Sequence, residues 1–496
     1  MKIVVANSIG RDRKGNYIIH SPSRWSEAVK NKYHWFAYYP WELAYLSALL
    51  KHETKHRVKF VDGCLMRLGG KDYYKHIIAE SPDMLVIESA TRMIEENVEL
   101  ALKVKAATGA KIVFVGPHAS AFPQKLIDMG IDYVCVGEYE LTVLEIVQSK
   151  KRNEILGLYP NVRRPLLDIK KLPWPEDNDV SRLEYAYPGE PSSEFREIQM
   201  YATRGCPGSC NFCVARHVYY NKANWRPREV TDVINEIKHL RDKYPLMQGV
   251  FFDEEVHNAD RQFVFKLTEA IIENGLSDLR FEAMCDVRFL DAQVMRAMKN
   301  AGYYKLRIGI ESASEKVMKA MGKTIDLEKI VNTLKTAKSI GLKTYGTFTF
   351  GALGSDVKED EKTIKLMRDL IKNNLLDNLQ LSICTPQPGT PFYEHVRRNS
   401  LLRKNIEACD YDGGIFAVID YPNYTHRQIE AMKRKALVIR DHYFMNKRIK
   451  DKGVRDWIIS AFRRYGWWGV STKAFLRIIN ELCFVKIIKL NKKNRF

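Results

Sequence analysis

Two stretches, residues 1 to about 150 and 196 to about 395, carry short β-branched runs alternating with helical patterns, and this rhythm limits the fold more than any other feature. In the first stretch the strand-like runs are Lys2–Ala6, Val58–Val61, Met84–Ile87, Lys111–Val115 and Tyr133–Val136, with helical segments such as Trp41–Leu50 and Met93–Ala107 between them. In the second they are Ile198–Ala202, Gly249–Asp253, Arg280–Cys285, Lys305–Ile310, Lys343–Gly351 and Leu379–Thr385. Each crossover helix returns the chain to the same end of the sheet, so such strands pair in parallel. The expected class is α/β: a doubly wound sheet over 1–150, then an open barrel of six βα units over 196–395. Prolines at 160, 165, 173, 175, 188 and 191, with the acidic run Glu176-Asp177-Asn178-Asp179, mark an extended connector over 151–195. Residues 396–496 lose the βα rhythm and read as a helical extension.

Parallel sheets bind ligands beyond the carboxyl ends of their strands, and the loop after Ile198–Ala202 is the most reactive of these. It holds Cys206, Cys210 and Cys213 at C-x3-C-x2-C spacing among Gly205, Pro207 and Gly208. Such a loop curls three sulfurs into one concavity, which suits three corners of a cubane iron–sulfur cluster. No fourth Cys lies nearby, so one iron would stay open to an exogenous ligand. The spacing alone also admits a zinc knuckle with His217 as fourth ligand. The remaining cysteines, at 64, 135, 285, 384, 409 and 483, are scattered, which argues for a reducing compartment over a disulfide framework.

The stretch Thr203 to Cys213 resembles the cluster loop of the radical S-adenosylmethionine (SAM) enzymes. That resemblance implies a [4Fe–4S] cluster on Cys206, Cys210 and Cys213, with SAM on the open iron and an external electron donor such as a flavodoxin or ferredoxin. Reduction then splits SAM to methionine and a 5′-deoxyadenosyl radical that abstracts hydrogen from a substrate. The strand ends downstream fit the resemblance in order and spacing. Asp253 and Glu254 suit the methionyl ammonium, Arg288 its carboxylate, and Gly309, Glu311 and Ser312 the ribose, while Gly351 would lie by the adenine. The loops Val115-Gly116-Pro117-His118 and Val136-Gly137-Glu138, with Tyr39–Leu46, resemble the cobalamin-binding domain that precedes many radical SAM domains. There Gly116 and Gly137 would let backbone approach the corrin, beside His118 and Glu138. The chain departs from that pattern in having Val115 where a second glycine is common, and in lacking Asp-x-His-x-x-Gly.

The formal charge of +19 is concentrated in the tail, where residues 433–496 hold eighteen Lys and Arg against four Asp and Glu. Cations interleaved with Trp457, Ile458, Phe462, Trp467, Trp468 and Phe475 suit an anionic membrane surface, a basic lid, or the solvated face of packed helices. No apolar run reaches the roughly 18 residues of a spanning helix, so a cytoplasmic protein is expected, at most peripheral on the inner membrane face. The resemblance implies methylation of an unactivated carbon on a small, apolar or lipid-derived substrate. Radical cyclisation, rearrangement or carbon–carbon coupling on a lipid or tetrapyrrole is the alternative within the same scaffold. A tRNA-modifying enzyme resembling the methylthiotransferases is the rival; it would need a second cysteine cluster, and the first domain offers only Cys64 and Cys135. Nucleic acid is therefore not the expected partner.

Overall fold

The computed structural model describes residues 1–20, 26–29, 36–88, 90–187, 193–323 and 326–469, and side chains past 451 are not described. Pro188, Pro191, Phe475 and Cys483 therefore lie outside the described residues, as do the side chains of the other tail residues named above.

Five parallel strands form the first sheet: β1 (Lys2–Ala6), β2 (Arg57–Val61), β3 (Met84–Glu88), β4 (Lys111–Val115) and β5 (Tyr133–Val134). Their order is β2-β1-β3-β4-β5, so the chain reverses direction of growth at β1 and β3 and opens a crevice at their carboxyl ends. The strands read as unbroken apolar runs because helices cover both faces of such a sheet. Every residue of β3 is buried, and Ile3, Val5, Phe114 and Val115 have no exposed surface. Helix Trp41–Glu53 packs on helix Glu140–Val147, and helix Gly70–Ala79 on Ile94–Thr108.

Six further strands follow: β6 (Glu197–Met200), β7 (Gly249–Phe252), β8 (Arg280–Cys285), β9 (Tyr303–Glu311), β10 (Lys343–Phe350) and β11 (Asn378–Ile383). They pair in parallel in simple sequence order, and β6 and β11 are left as edges, which makes an open, partial barrel. The intervening helices start where the sequence supplies a short acceptor. Asp260, Asp291, Asp326 and Asp356 each take a backbone N–H of the first helical turn, and Thr390 does the same before Pro391. Lys2–Ala6, Lys111–Val115 and Arg280–Cys285 match the sequence reading at both ends, and the other strand boundaries differ by at most two residues, as at β9, where Tyr303 and Tyr304 join the strand.

Arg307 on β9 lies over Phe251 on β7, two strands away, with Tyr345 of β10 on its other side, so these side chains share the concave face. Below them Glu282 pairs with Arg307 and Lys305, and Ser193 of the connector donates to the same carboxylate at 2.7 Å. The base of the barrel is thus closed by a buried polar network.

Met1–Ala28 and Phe36–Leu437 form one compact unit, and the helix His426–Gly469 starts in it and runs on into a second unit. At the helix start the Gln428 side chain accepts from the Thr425 backbone N–H at 2.8 Å, which is one half of a capping box. No described helix is long and apolar enough to cross a membrane.

Candidate active site: the cysteine loop and the strand ends around it

The cysteine loop is held by main-chain bonds from four directions. Both Ala202 and Thr203 donate their N–H to one oxygen of Glu254 at 2.7 Å, and Gly205 N–H donates to Glu255 at 2.9 Å, so the end of β7 fixes where the loop leaves β6. Gly205 sits at φ +98°, and a Cβ there would fall 2.1 Å from the Asn224 Oδ1, which leaves glycine as the residue that fits. Further on, Asn211 donates its N–H to Met321 O at 2.8 Å and its amide to Ala320 O at 2.7 Å, while Ser209 donates to Gly322 O. The Asn224 N–H donates to Cys206 O at 3.2 Å, and the Phe392 N–H closes the fourth side on Asn211 O.

Cys206, Cys210 and Cys213 are free, half-buried and within one another's electrostatic reach. Burial pushes the Cys206 thiol up to about 11 and the Cys213 thiol to about 12, against the pull of N–H···S bonds from Gly208 at 3.2 Å and Arg216 at 3.5 Å. Cys210 is likewise raised by burial, with Lys323 and Arg288 pulling the other way. Three thiols that resist ionisation on their own, with donors already aimed at two sulfurs, fit a cationic metal cluster, whose charge would stabilise the thiolates. The zinc alternative fits less well. His217 turns its Nε2 to the Cys210 carbonyl at 3.1 Å, and no three Cys, His, Asp or Glu groups among the described residues converge on one ion.

Around the loop the other strand ends divide into two groups. Glu311 is placed for a ligand. A register shift between Gly309 and Glu311 interrupts the β9–β10 pairing, and Glu311 sits at φ +65°, a conformation that costs energy for a residue with a Cβ. Its carboxylate accepts from Thr347, Thr349 and Lys323 at 3.1–3.2 Å and stays partly exposed. Gly309 is needed beneath it, because a Cβ there would meet the Glu311 carboxylate at 2.7 Å and the Lys323 ammonium at 2.9 Å. Arg288 is bound by both oxygens of Asp286 and lies next to Gly208. Asp253 is buried within reach of the Arg307 charge.

The second group is engaged inside the protein. Glu254 has no exposed surface, and its other oxygen meets His257, so it anchors the loop and is closed to a ligand's ammonium. Ser312 is buried on Thr363 at 3.1 Å. Gly351 gives room to Ile429, whose Cγ2 would lie 2.6 Å from a Cβ.

At the first sheet, the faces of both glycines are covered by the chain itself: Glu88 lies 2.7 Å from a Cβ on Gly116, and the Arg163 guanidinium 2.9 Å from one on Gly137. His118 is buried edge-on against Phe122 with its Nδ1 3.1 Å from the Thr91 hydroxyl, and burial drops its pKa to about 3, which keeps it neutral. Glu138 takes Arg226 at 3.0 Å and Leu167 N–H at 2.9 Å. Beside it Arg204, from the start of the cysteine loop, is 1% exposed and donates to Glu140 at 2.6 Å. This pair ties the two halves of the unit together at the crevice.

The sequence reading missed what surrounds that pair. Glu42, Glu88, Tyr139 and Tyr219 share the electrostatic neighbourhood of Arg204 and Glu140. Burial, then the neighbouring Glu88, lifts the Glu42 carboxyl to about 8. The hydroxyls of Tyr139 and Tyr219, Glu140 Oε2 and Arg204 Nη2 are buried without a hydrogen-bond partner in the protein. So many unmet polar atoms in one place, at the carboxyl ends of a doubly wound sheet, fit a polar ligand. Lys323 was missed as well; its contact with Glu311 depends on a turn that no spacing in the sequence announces.

Comparison with known proteins gives these arrangements a family. Residues 200–367 match the radical SAM superfamily and residues 36–147 the B12 binding domain. An uncharacterized methyltransferase of Pyrococcus horikoshii, PH0819, is 30% identical over 80% of this chain and 87% of its own. Two solved proteins share the fold. The radical SAM methyltransferase TsrM of Kitasatospora setae, solved with tryptophan and a SAM analogue, has a TM-score of 0.65 at 16% identity over 89% of this chain and 90% of its own. The cobalamin-dependent radical enzyme OxsB, solved with aqua-cobalamin and SAM, has a TM-score of 0.69 at 12% identity over 98% and 75%. The chain belongs to the cobalamin-binding-domain-containing radical SAM enzymes, whose cofactors are a [4Fe–4S] cluster, SAM and cobalamin.

Proposed function

We propose that this enzyme transfers a methyl group to an unactivated carbon of a small molecule. The observation that supports it most is the placement of Cys206, Cys210 and Cys213 at the mouth of a partial barrel, in a loop that Arg204 joins to the strand ends of the B12 binding domain. When bound, the cluster and SAM supply a 5′-deoxyadenosyl radical and cobalamin supplies the methyl group. Every other part is played by the chain. Cys206, Cys210 and Cys213 hold the cluster, and the N–H groups of Gly208 and Arg216 tune it through its sulfurs. Glu311, pre-oriented by Thr347, Thr349 and Lys323, takes the ribose hydroxyls. Arg288, steadied by Asp286, would take the methionyl carboxylate, and Asp253 its ammonium. Ser312 and Gly351 shape the site through Thr363 and Ile429. Gly116, His118, Gly137 and Glu138 frame the corrin crevice. The polar base of the barrel keeps water out from below and leaves the substrate to enter from the mouth.

In this reading the substrate is apolar or lipid-derived and sits above the Arg307 layer, and the basic tail brings the enzyme to an anionic membrane. Co-sedimentation with phosphatidylglycerol vesicles is expected for the full chain and not for one truncated near Met445; equal sedimentation would remove the membrane from the account. The reaction itself is tested by anaerobic turnover with methyl-labelled SAM and cell extract. Label appearing on carbon of a small molecule, dependent on added cobalamin, is the expected result, and 5′-deoxyadenosine without labelled product would point to radical rearrangement or coupling instead.

A further inference from the structure

We propose that Tyr139 and Tyr219, with Glu140 Oε2 and Arg204 Nη2, bind carboxamide side chains on the corrin periphery and clamp the cofactor between the two halves of the unit; this rests on the cobalamin reading above. The two phenols come from different parts of the chain. Tyr139 follows the β5 strand end in Gly137-Glu138-Tyr139-Glu140, whereas Tyr219 lies in the helical turn after Cys213. They meet edge to face with ring centroids 6.2 Å apart, and Tyr220 continues the contact at 5.2 Å before donating to Glu255 at 3.1 Å. All are fully buried, and none of the four proposed contact atoms has a partner in the protein.

Unmet polar groups are costly in a protein interior, so a cluster of them marks a ligand more often than an accident of packing. The mix of atoms says which chemistry fits. Arg204 Nη2 only donates, Glu140 Oε2 only accepts, and each phenol does both. A primary carboxamide matches this set, because it presents a carbonyl acceptor and an amide donor side by side. A phosphate presents acceptors alone and would face the Glu140 oxygen, and an apolar group would leave all four atoms unmet. The corrin edge, not the phosphate of the nucleotide tail, is the part of the cofactor with the right groups.

The test is a titration of the anaerobically purified full chain, cluster in place, with hydroxocobalamin, followed by cobalt and iron analysis after gel filtration. Tyr139→Phe and Tyr219→Phe each remove one hydroxyl and keep the ring. Each is expected to weaken cobalamin binding about tenfold, and the double variant further, with iron content and melting temperature unchanged. Cobinamide, which lacks the nucleotide tail, is expected to show the same losses. Wild-type affinity in the double variant would overturn the assignment, as would a loss of cobalt matched by a loss of iron. A wild-type chain that takes up iron but no cobalamin would instead overturn the cobalamin reading on which the assignment rests.

Discussion

The cysteine loop and the corrin crevice are neighbours joined by Arg204, yet they are held in opposite ways. At the loop nearly every anchoring bond involves the main chain: Ala202, Thr203, Gly205, Cys206 and Asn211 are fixed by four separate segments, and the reactive side chains stay half-exposed. At the crevice the anchors are buried charges, Arg204 and Arg226 against Glu138 and Glu140, surrounded by polar atoms with no partner. A loop held through its backbone keeps its shape whichever metal state its thiols adopt. A crevice held by buried ions depends on each partner and on what fills it, so the two should respond differently to substitution.

The largest expected effect is at the loop. Cys210→Ala should abolish SAM cleavage, a loss on the order of a thousandfold or more, without lowering the melting temperature of the apo chain. Unchanged 5′-deoxyadenosine formation would break the contrast at its reactive end. At the crevice the order inverts, with stability falling first. Arg204→Met leaves Glu138 and Glu140 short of a buried cation and should cost on the order of 3–5 kcal/mol. Chemical denaturation followed by circular dichroism would read it, and a change under about 1 kcal/mol would show that the ion pair is dispensable.

How much of this was legible beforehand follows the same division. The three cysteines and the βα rhythm are local patterns, and local geometry fixes what they become. The polar cluster draws on Glu42, Glu88, Tyr139, Glu140, Arg204 and Tyr219, which no local spacing relates. Its members meet only because β1, β3 and β5 end on the same side as β6. Glu254 shows the reverse failure: its place beside a functional strand end was readable, but its use as an anchor for Ala202 and Thr203 required the fold. Gly116 and Gly137 were readable as strand-end glycines that would let backbone approach a corrin, whereas their cover by Glu88 and Arg163 was not.

Two smaller effects sharpen the comparison. If Glu311 takes the ribose as proposed, Glu311→Ala should raise the KM for SAM about tenfold and leave iron content unchanged. Iron loss equal to that of Cys210→Ala would merge roles that the geometry separates. The smallest effect is a pH dependence at Glu42. Its carboxyl keeps its proton to about pH 8 in the folded chain and only to about 4.5 when unfolded. The folded state therefore holds the extra proton in that window, and stability contributed by neutral Glu42 is lost as pH climbs from about 4.5 to about 8. Glu42→Gln should match wild type near pH 5 and melt a few degrees higher near pH 8. An equal difference at both pH values would contradict a buried, protonated acid there.

The account stands or falls on metal stoichiometry. Anaerobic purification of the full chain, reconstitution with iron, sulfide and hydroxocobalamin, and quantification of iron, cobalt and zinc after gel filtration should give about four iron and about one cobalt per chain with no zinc. Zinc without iron, or iron without cobalt, would contradict it.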